Sequence, residues 1–350
     1  MSHPRLSLAL DAPDALPDAG VIALWNPSAA TDLGDLPRGR VQAVQGFFPD
    51  HAALAARGID TRAEPEGPYA ASVVFVPRAK AEARAILAEA AARTLPGGRI
   101  WVDGAKIDGI DSLLRELRGR AEVSEPIAKA HGKIFSFRAD AGLLGDWIAE
   151  DIAPAPGFVT RPGVFSADGV DRGSALLAAA LPARLPARMA DLGAGWGWLS
   201  AQVLAREGVE SLDLIEADHA ALACARRNVT DPRAAFHWAD ATGFTPAQRY
   251  GGIVMNPPFH AGLREGDPNL GLAFIRAAAG MLSLSGTLWM VANRHLPYAE
   301  ALKTLFHEVE EIGGDGAFRL SRAHKPVVGA SKAAPAPAAA RPIRRRIPRR

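Results

Sequence analysis

Three places in the sequence gather residue types that can bind or transfer something. The first is Asp191-Leu-Gly193-Ala-Gly195-Trp-Gly197, alternate glycines between an apolar strand-like run and a helix-like one. Glycine tolerates positive φ and lets a ligand reach the backbone with no Cβ in the way, so this is the outline of a nucleotide-type cofactor turn. The nicotinamide fingerprint would need glycine at 198, where Trp198 stands. The second place is a pair of acids. Glu216 ends the next strand-like run and can accept hydrogen bonds from both ribose hydroxyls of an adenosine moiety; Asp240, ending a third, suits an adenine amine. The third is Asn256-Pro257-Pro258-Phe259. Proline has no amide N–H for a sheet ladder and locks its own φ, so the strand stops there and the chain is turned outward. A glycine turn alone can be no more than a tight connection; it is the order turn, Glu216, Asp240, Asn256 that points to a site.

The elements that position these residues alternate strand and helix, which implies parallel βαβ units. Strands are expected in "RMADLGAG" (188–195), "SLDLIEAD" (211–218), "FHWADAT" (236–242), "GGIVMNPPF" (251–259) and "GTLWMVAN" (286–293). "DHAALACARRNV" (218–229) and "LGLAFIRAAAGML" (270–282) carry apolar residues at helical spacing. Trp196 and Trp198 flank the last glycine; helix packing against the sheet accounts for at least one of them, and neither is given a substrate role.

The first half repeats this plan faintly. "DHAALA" occurs at 50–55 and 218–223, an offset of 168, and each copy precedes a strand ended by proline, "SVVFVPRAK" or "GGIVMNPPF". Two tandem copies of one α/β, Rossmann-like domain follow, the first degenerate. At that offset Asp191, Gly193, Gly195, Gly197 and Glu216 correspond to Ala23, Trp25, Pro27, Ala29 and Phe48, so the first copy, residues 1–140, is expected to hold no cofactor. Residues 141–328 form the second copy, with a helical segment at 140–150 bridging the halves and a Pro/Gly-rich loop at 153–166.

Bulk properties set the frame. With 350 residues, 48% apolar and 22% charged, the chain suits two globular domains. No run approaches the ~20 apolar residues of a membrane helix. The single cysteine, Cys224, cannot form an internal disulfide and has no metal-ligand spacing around it, so a cytoplasmic protein without metal is expected. Residues 331–350 hold Lys332 and six arginines with no acid, leaving the rest of the chain net acidic. The segment 329–350 is expected to be a disordered basic tail, either merely solvated or adding salt-sensitive affinity for nucleic acid phosphates.

With these motifs in place the sequence resembles the class I S-adenosylmethionine-dependent methyltransferases that modify an exocyclic or amide nitrogen through an [N/D]-P-P-[F/Y/W] motif. The stretches "TRPGVFSADGVDRGSALL" (160–177), "NPPFHAG" (256–262) and "VANRHLPY" (291–298) narrow it to the ribosomal RNA guanine-N2 methyltransferases acting on the small subunit. The resemblance is strong over 158–325 and weaker before. It implies S-adenosylmethionine as cofactor, bound by Asp191, Gly193, Gly195, Gly197, Glu216 and Asp240 under a loop containing Phe165, Asp171 and Gly173. It also implies a catalytic clamp of Asn256, Pro257, Pro258 and Phe259. There the Asn256 side-chain oxygen and the Pro257 carbonyl accept from the target –NH₂, Phe259 stacks on the base, and His260 with Gly262 shapes the pocket. The expected reaction is in-line methyl transfer to the N2 amine of a guanosine in 16S rRNA, by a monomer. Phosphate contacts would fall to Arg161, Arg172, Arg264, Arg294 or the tail.

Four rivals share part of this logic. The large-subunit (23S) guanine-N2 methyltransferases share the duplication and the motif. Glutamine methyltransferases of release factors usually carry "NPPY" and a helical substrate domain, whereas DNA adenine methyltransferases use the same acceptors. A non-catalytic RNA-binding assembly factor would not need the intact Asp191, Gly193, Gly195, Glu216 and Asn256.

Overall fold

The computed structural model describes residues 4–34, 36–258 and 268–329. The first unit opens with helix α1 (Pro4–Leu10) and builds a sheet from β1 (Ile22–Trp25), β2 (Val41–Val44), β3 (Asp60–Arg62), β4 (Tyr69–Phe75), β5 (Thr94–Ala105), β6 (Ile127–Lys129) and β7 (Gly132–Arg138), with helices α2 (Phe48–Ala56), α3 (Lys80–Arg93) and α4 (Ile110–Arg118). The second builds β8 (Arg188–Leu192), β9 (Ser211–Glu216), β10 (Ala234–Trp238), β11 (Tyr250–Met255), β12 (Leu282–Asn293), β13 (Phe306–Gly314) and β14 (Phe318–Pro326). Its helices are α5 (Arg172–Ala180), α6 (Trp198–Leu204), α7 (His219–Asn228), α8 (Pro268–Met281) and α9 (Tyr298–Leu305).

Both sheets have the same strand order, β3-β2-β1-β4-β5-β7-β6 and β10-β9-β8-β11-β12-β14-β13. In each the first five strands run parallel, and an antiparallel hairpin closes one edge. The α/β class expected from the alternating pattern is the fold observed.

The central strands of the second sheet are buried on both faces, which is why they read as continuous apolar runs. Ile253 and Met255 of β11 pack with Phe274, Ile275 and Ala278 of α8 and Leu302 of α9. Val254, between them, points the other way and joins Leu177 of α5, Leu199 and Val203 of α6 and Leu222 of α7. Strand β11 ends at Met255, directly before Asn256 and the proline doublet, as the missing N–H groups require.

Two expectations need correction. The segment 140–150 is no helix: it contains only the single 3-10 turn Gly145–Trp147, because glycines at 142 and 145 interrupt it. The indole of Trp147 is buried, with the guanidinium of Arg120 at 4.9 Å from its ring. The shared hexapeptide is also out of structural register. Asp218 caps α7 by accepting from the Ala220 N–H, whereas Asp50 lies inside the first turn of α2.

Candidate active site

In the second sheet the strand order reverses between β8 and β11, so the chain leaves these neighbours in opposite directions and opens a crevice at their carboxyl ends. The glycine turn after β8 and Asn256 after β11 both border it. A cavity there is lined by Phe165, Asp171, Ser174, Asp191, Gly193, Gly195, Trp196, Trp198 and Asn256, among others. The structure thus gathers Phe165, Asp191, two of the glycines and Asn256 from three separate stretches of sequence.

The three glycines differ in what they do. All have positive φ, +73° at Gly193, +56° at Gly195 and +85° at Gly197. A Cβ on Gly195 would meet nothing within 4 Å, so its surface is open to a ligand. A Cβ on Gly197 would lie 2.9 Å from Val229 Cγ2 and 3.3 Å from Ala225 Cβ, so this glycine lets α6 and α7 pack closely. Gly173 is likewise a packing position: a Cβ there would come within 3.2 Å of the Phe318 ring and 3.3 Å of Val291.

Two carboxylates flank the glycine turn: Asp191 lines the cavity, and Glu216 is bonded to the turn through the Gly195 N–H. Asp191 is 1% exposed and accepts a 2.6 Å hydrogen bond from Ser200 on α6. Burial pushes its carboxyl up to about 7, against the Ser200 bond and reinforced by the nearby Glu216 charge. Glu216 accepts from the Gly195 N–H at 2.7 Å and the Asp218 N–H at 2.8 Å. It lies deep in the protein yet keeps a partly open face, and burial raises it to about 7 despite those two donors. A cationic group and a diol would suit this pair, since a cation relieves the raised acid and hydroxyls can donate to the carboxylate. Asp240 stands two residues beyond the end of β10, its carboxylate accepting from the Thr242 N–H and hydroxyl at 2.8 and 2.7 Å.

Asn256 is held by a device the sequence reading left out. Its side-chain N–H₂ group donates to Asp171 Oδ1 at 2.7 Å and to Ser174 Oγ at 3.0 Å. A carboxylate oxygen can only accept, so the amide orientation is fixed and its oxygen is left to accept from something else. Asp171 also caps α5, accepting from the Ser174 N–H at 2.8 Å. The sequence signal was an N-cap acid with serine three residues on, at the start of a helical run. A second missed residue is Asn228, whose side chain ties Val159 to the Trp196 carbonyl and so joins the covering loop to the glycine turn.

Phe165 is 57% exposed at the cavity rim. Trp196 is buried against Val164, Ala221 and Cys224, as a packing role requires, yet both tryptophans also border the cavity. Pro257 is buried and Pro258 exposed. Phe259, His260, Gly262 and Arg264 lie outside the described residues, as does the tail from 330 on. Of the other arginines expected to meet phosphate, Arg161 pairs with Asp151, Arg172 with Asp315 and Arg294 with Glu311. Among the described residues no group of three His, Cys, Asp or Glu side chains could hold a metal, and no helix is long and apolar enough to cross a membrane.

The same positions in the first unit carry other chemistry. Asn26, with φ +56°, donates its N–H to the Val44 carbonyl as Gly193 does to that of Ile215. The Phe47 N–H bonds the Gln45 side chain as that of Asp218 bonds Glu216. Buried Tyr69 and Tyr250 open β4 and β11 at matching registers. Leu24 therefore stands where Asp191 does, Asn26 where Gly193 does, Gln45 where Glu216 does and Phe75 where Asn256 does. A constant offset of 168 misplaced these partners because the loops between elements differ in length between the copies.

Residues 156–322 match the Methyltransferase small domain family. The chain is 32% identical over 276 residues to a ribosomal RNA small subunit methyltransferase C of Pseudomonas paraeruginosa, covering 76% of this chain and 82% of that one. It is 30% identical over 268 residues to the protein of the same name from Shewanella pealeana, covering 71% and 75%. Among solved structures it is similar to the T. thermophilus 16S rRNA N2 G1207 methyltransferase in complex with AdoMet and guanosine, with a TM-score of 0.75, 26% identity and 92% of each chain covered. The duplicated sheet, the crevice beside Asn256 and this extended likeness lead to one conclusion: the chain belongs to the ribosomal RNA small subunit methyltransferase C family.

Proposed function

We propose that the protein transfers a methyl group from S-adenosylmethionine to the N2 amine of a guanosine in 16S rRNA, in the cytoplasm and with one complete site per chain. The observation that carries this reading is the fixed Asn256 amide, whose oxygen is left to accept beside a glycine turn with two raised carboxylates. The relative from T. thermophilus, captured with both AdoMet and guanosine, supports the same pairing of ligands.

The residues fit the cofactor. Gly195 leaves an open backbone surface, Asp191 offers a buried carboxylate to an ammonium group, and Glu216 offers one to a ribose diol. When bound, S-adenosylmethionine supplies a methyl group already activated on a sulfonium, so the amine lone pair displaces it directly, sulfur keeps the electrons of the broken bond, and the spare amine proton passes to water.

An aromatic amine is a poor nucleophile because its lone pair is delocalised into the ring. The Asn256 oxygen and the Pro257 carbonyl accept its two hydrogens, favouring the pyramidal form that attacks; no strong base is needed. Asp171 and Ser174 hold the Asn256 amide before the substrate arrives, and the prolines stiffen the backbone, so orientation costs little at the moment of reaction. Phe259 supplies the stacking face, worth roughly 1–3 kcal/mol for a base. A guanine stacked in RNA must first be exposed to reach this clamp.

The test is transfer of labelled methyl from S-adenosylmethionine to unmethylated small and large ribosomal subunits, with Asn256→Ala beside the unmodified chain. Label in small-subunit RNA that digests to N2-methylguanosine, and falls at least about a hundredfold in the variant, is the expected result. Label confined to the large subunit would move the activity to the 23S guanine-N2 enzymes.

A further inference from the structure

The first unit grips the loop that directly follows Glu216. The Phe48 N–H donates to the Ala217 carbonyl at 2.8 Å and the His219 N–H to the Gly46 carbonyl at 2.9 Å, closing one antiparallel β-bridge between Phe47 and Asp218. Phe48 and His219 each begin the helix after the second strand of their unit, and Gly46 and Ala217 each lie two residues earlier. The two bonds are therefore images of one another, and the copies meet through the same loop.

Trp238, the last residue of β10, closes this junction. Its indole N–H points between the two carbonyls, 3.0 Å from Gly46 and 2.9 Å from Ala217. Its ring is met edge-on by Phe48 of the first unit at 5.3 Å, His51 at 4.8 Å and His219 at 5.2 Å. Between the two bridging bonds lies Asp218, whose N–H orients the Glu216 carboxylate. The first unit also touches the loop that holds Phe165: Gly163, with φ +94°, lies so close to Glu82 of α3 that a Cβ would fall 2.8 Å from its side chain.

We infer that the Gly46–Phe48 rung and Trp238 are positioning elements of the cofactor site, so that the degenerate unit sets the Glu216 carboxylate for the ribose without binding a cofactor itself. The inference rests on the proposed cofactor reading. Affinity for S-adenosylmethionine then depends on two backbone bonds donated across the junction, and the chemistry at Asn256, on the far side of β8, does not.

The experiment is calorimetric titration of the full chain with S-adenosylmethionine, beside methyl transfer at saturating cofactor. Trp238→Phe keeps a ring but loses the N–H, and both carbonyls keep their backbone donors. Phe48→Ala and Phe48→Pro both lose the ring, but only proline loses the N–H. Position 48 is the first of its helix, where proline is tolerated, and Phe47 is already extended. Expected are a Kd raised about three- to tenfold in Trp238→Phe, and a similar rise of Phe48→Pro over Phe48→Ala, with kcat and the RNA KM unchanged. A general loss of stability would not produce that split. If Trp238→Phe does not fold, the Phe48 pair decides. Equal affinities within both comparisons overturn the inference while leaving the cofactor reading intact. An unmodified chain that binds no S-adenosylmethionine overturns both.

Discussion

At the scale of single residues, the site is organised around one amide. Free in solution, the Asn256 side chain could present either its oxygen or its N–H₂ group; here two acceptors decide. Ser174 is the more informative of them to remove, because Ser174→Ala keeps the backbone N–H that Asp171 caps and deletes only the hydroxyl facing Asn256. Loss of one hydrogen bond of this kind is expected to lower kcat about three- to tenfold, with cofactor affinity unchanged and activity restored in Ser174→Thr. Single-turnover methyl transfer checks it, and a wild-type rate would mean that Asp171 alone suffices. Asn256 itself was legible in the sequence because asparagine before two prolines at a strand end is a rare combination with a mechanical meaning. Ser174 was not, because it lies 82 residues away and only the packing of α5 against the sheet brings it there.

At the scale of elements, one glycine turn serves two needs. Gly195 turns an open surface to the crevice, while Gly197 lets α6 lie against α7. The sequence shows three equivalent-looking glycines; the division of labour depends on Ala225 of α7 and on Val229, which caps that helix. Gly197→Ala forces a side chain into a left-handed conformation and against Val229, so a loss of about 2 kcal/mol or more is expected, read as a lower denaturant midpoint. An unchanged midpoint would show that α7 can move aside. Helix and strand periods were readable because each buried face repeats along the chain. The 140–150 segment misled because its apolar residues mimic a helical stripe, while its glycines and the burial of Trp147 favour turns.

At the scale of the whole molecule, carboxylates confined in the interior make stability depend on pH and on the cofactor. Asp191 and Glu216 of the site, and Glu82 of the junction, are all raised by burial to about 7. Their native values exceed the unfolded ones near 4, so between about pH 4 and 7 the folded chain binds more protons and stability falls as pH rises. The melting temperature without cofactor is expected to drop from pH 5 to pH 8, and the increase on adding S-adenosylmethionine to grow over the same interval, since a cationic ligand favours the ionised forms. Thermal melts at fixed ionic strength check this, and a ligand-induced shift independent of pH would contradict it. The sequence by itself determined the alternating α/β plan, the duplication, the strand that stops at Asn256 and the glycine turn after Asp191. Each of these is written in local terms: periodicity, backbone freedom and a missing N–H. Only the tertiary structure decided which residues of the two copies are equivalent, how Asp171 and Ser174 aim Asn256, and that Trp238 joins the units behind Glu216. Those relations are contacts between segments far apart in the chain, and loop lengths, which local patterns do not constrain, set their register.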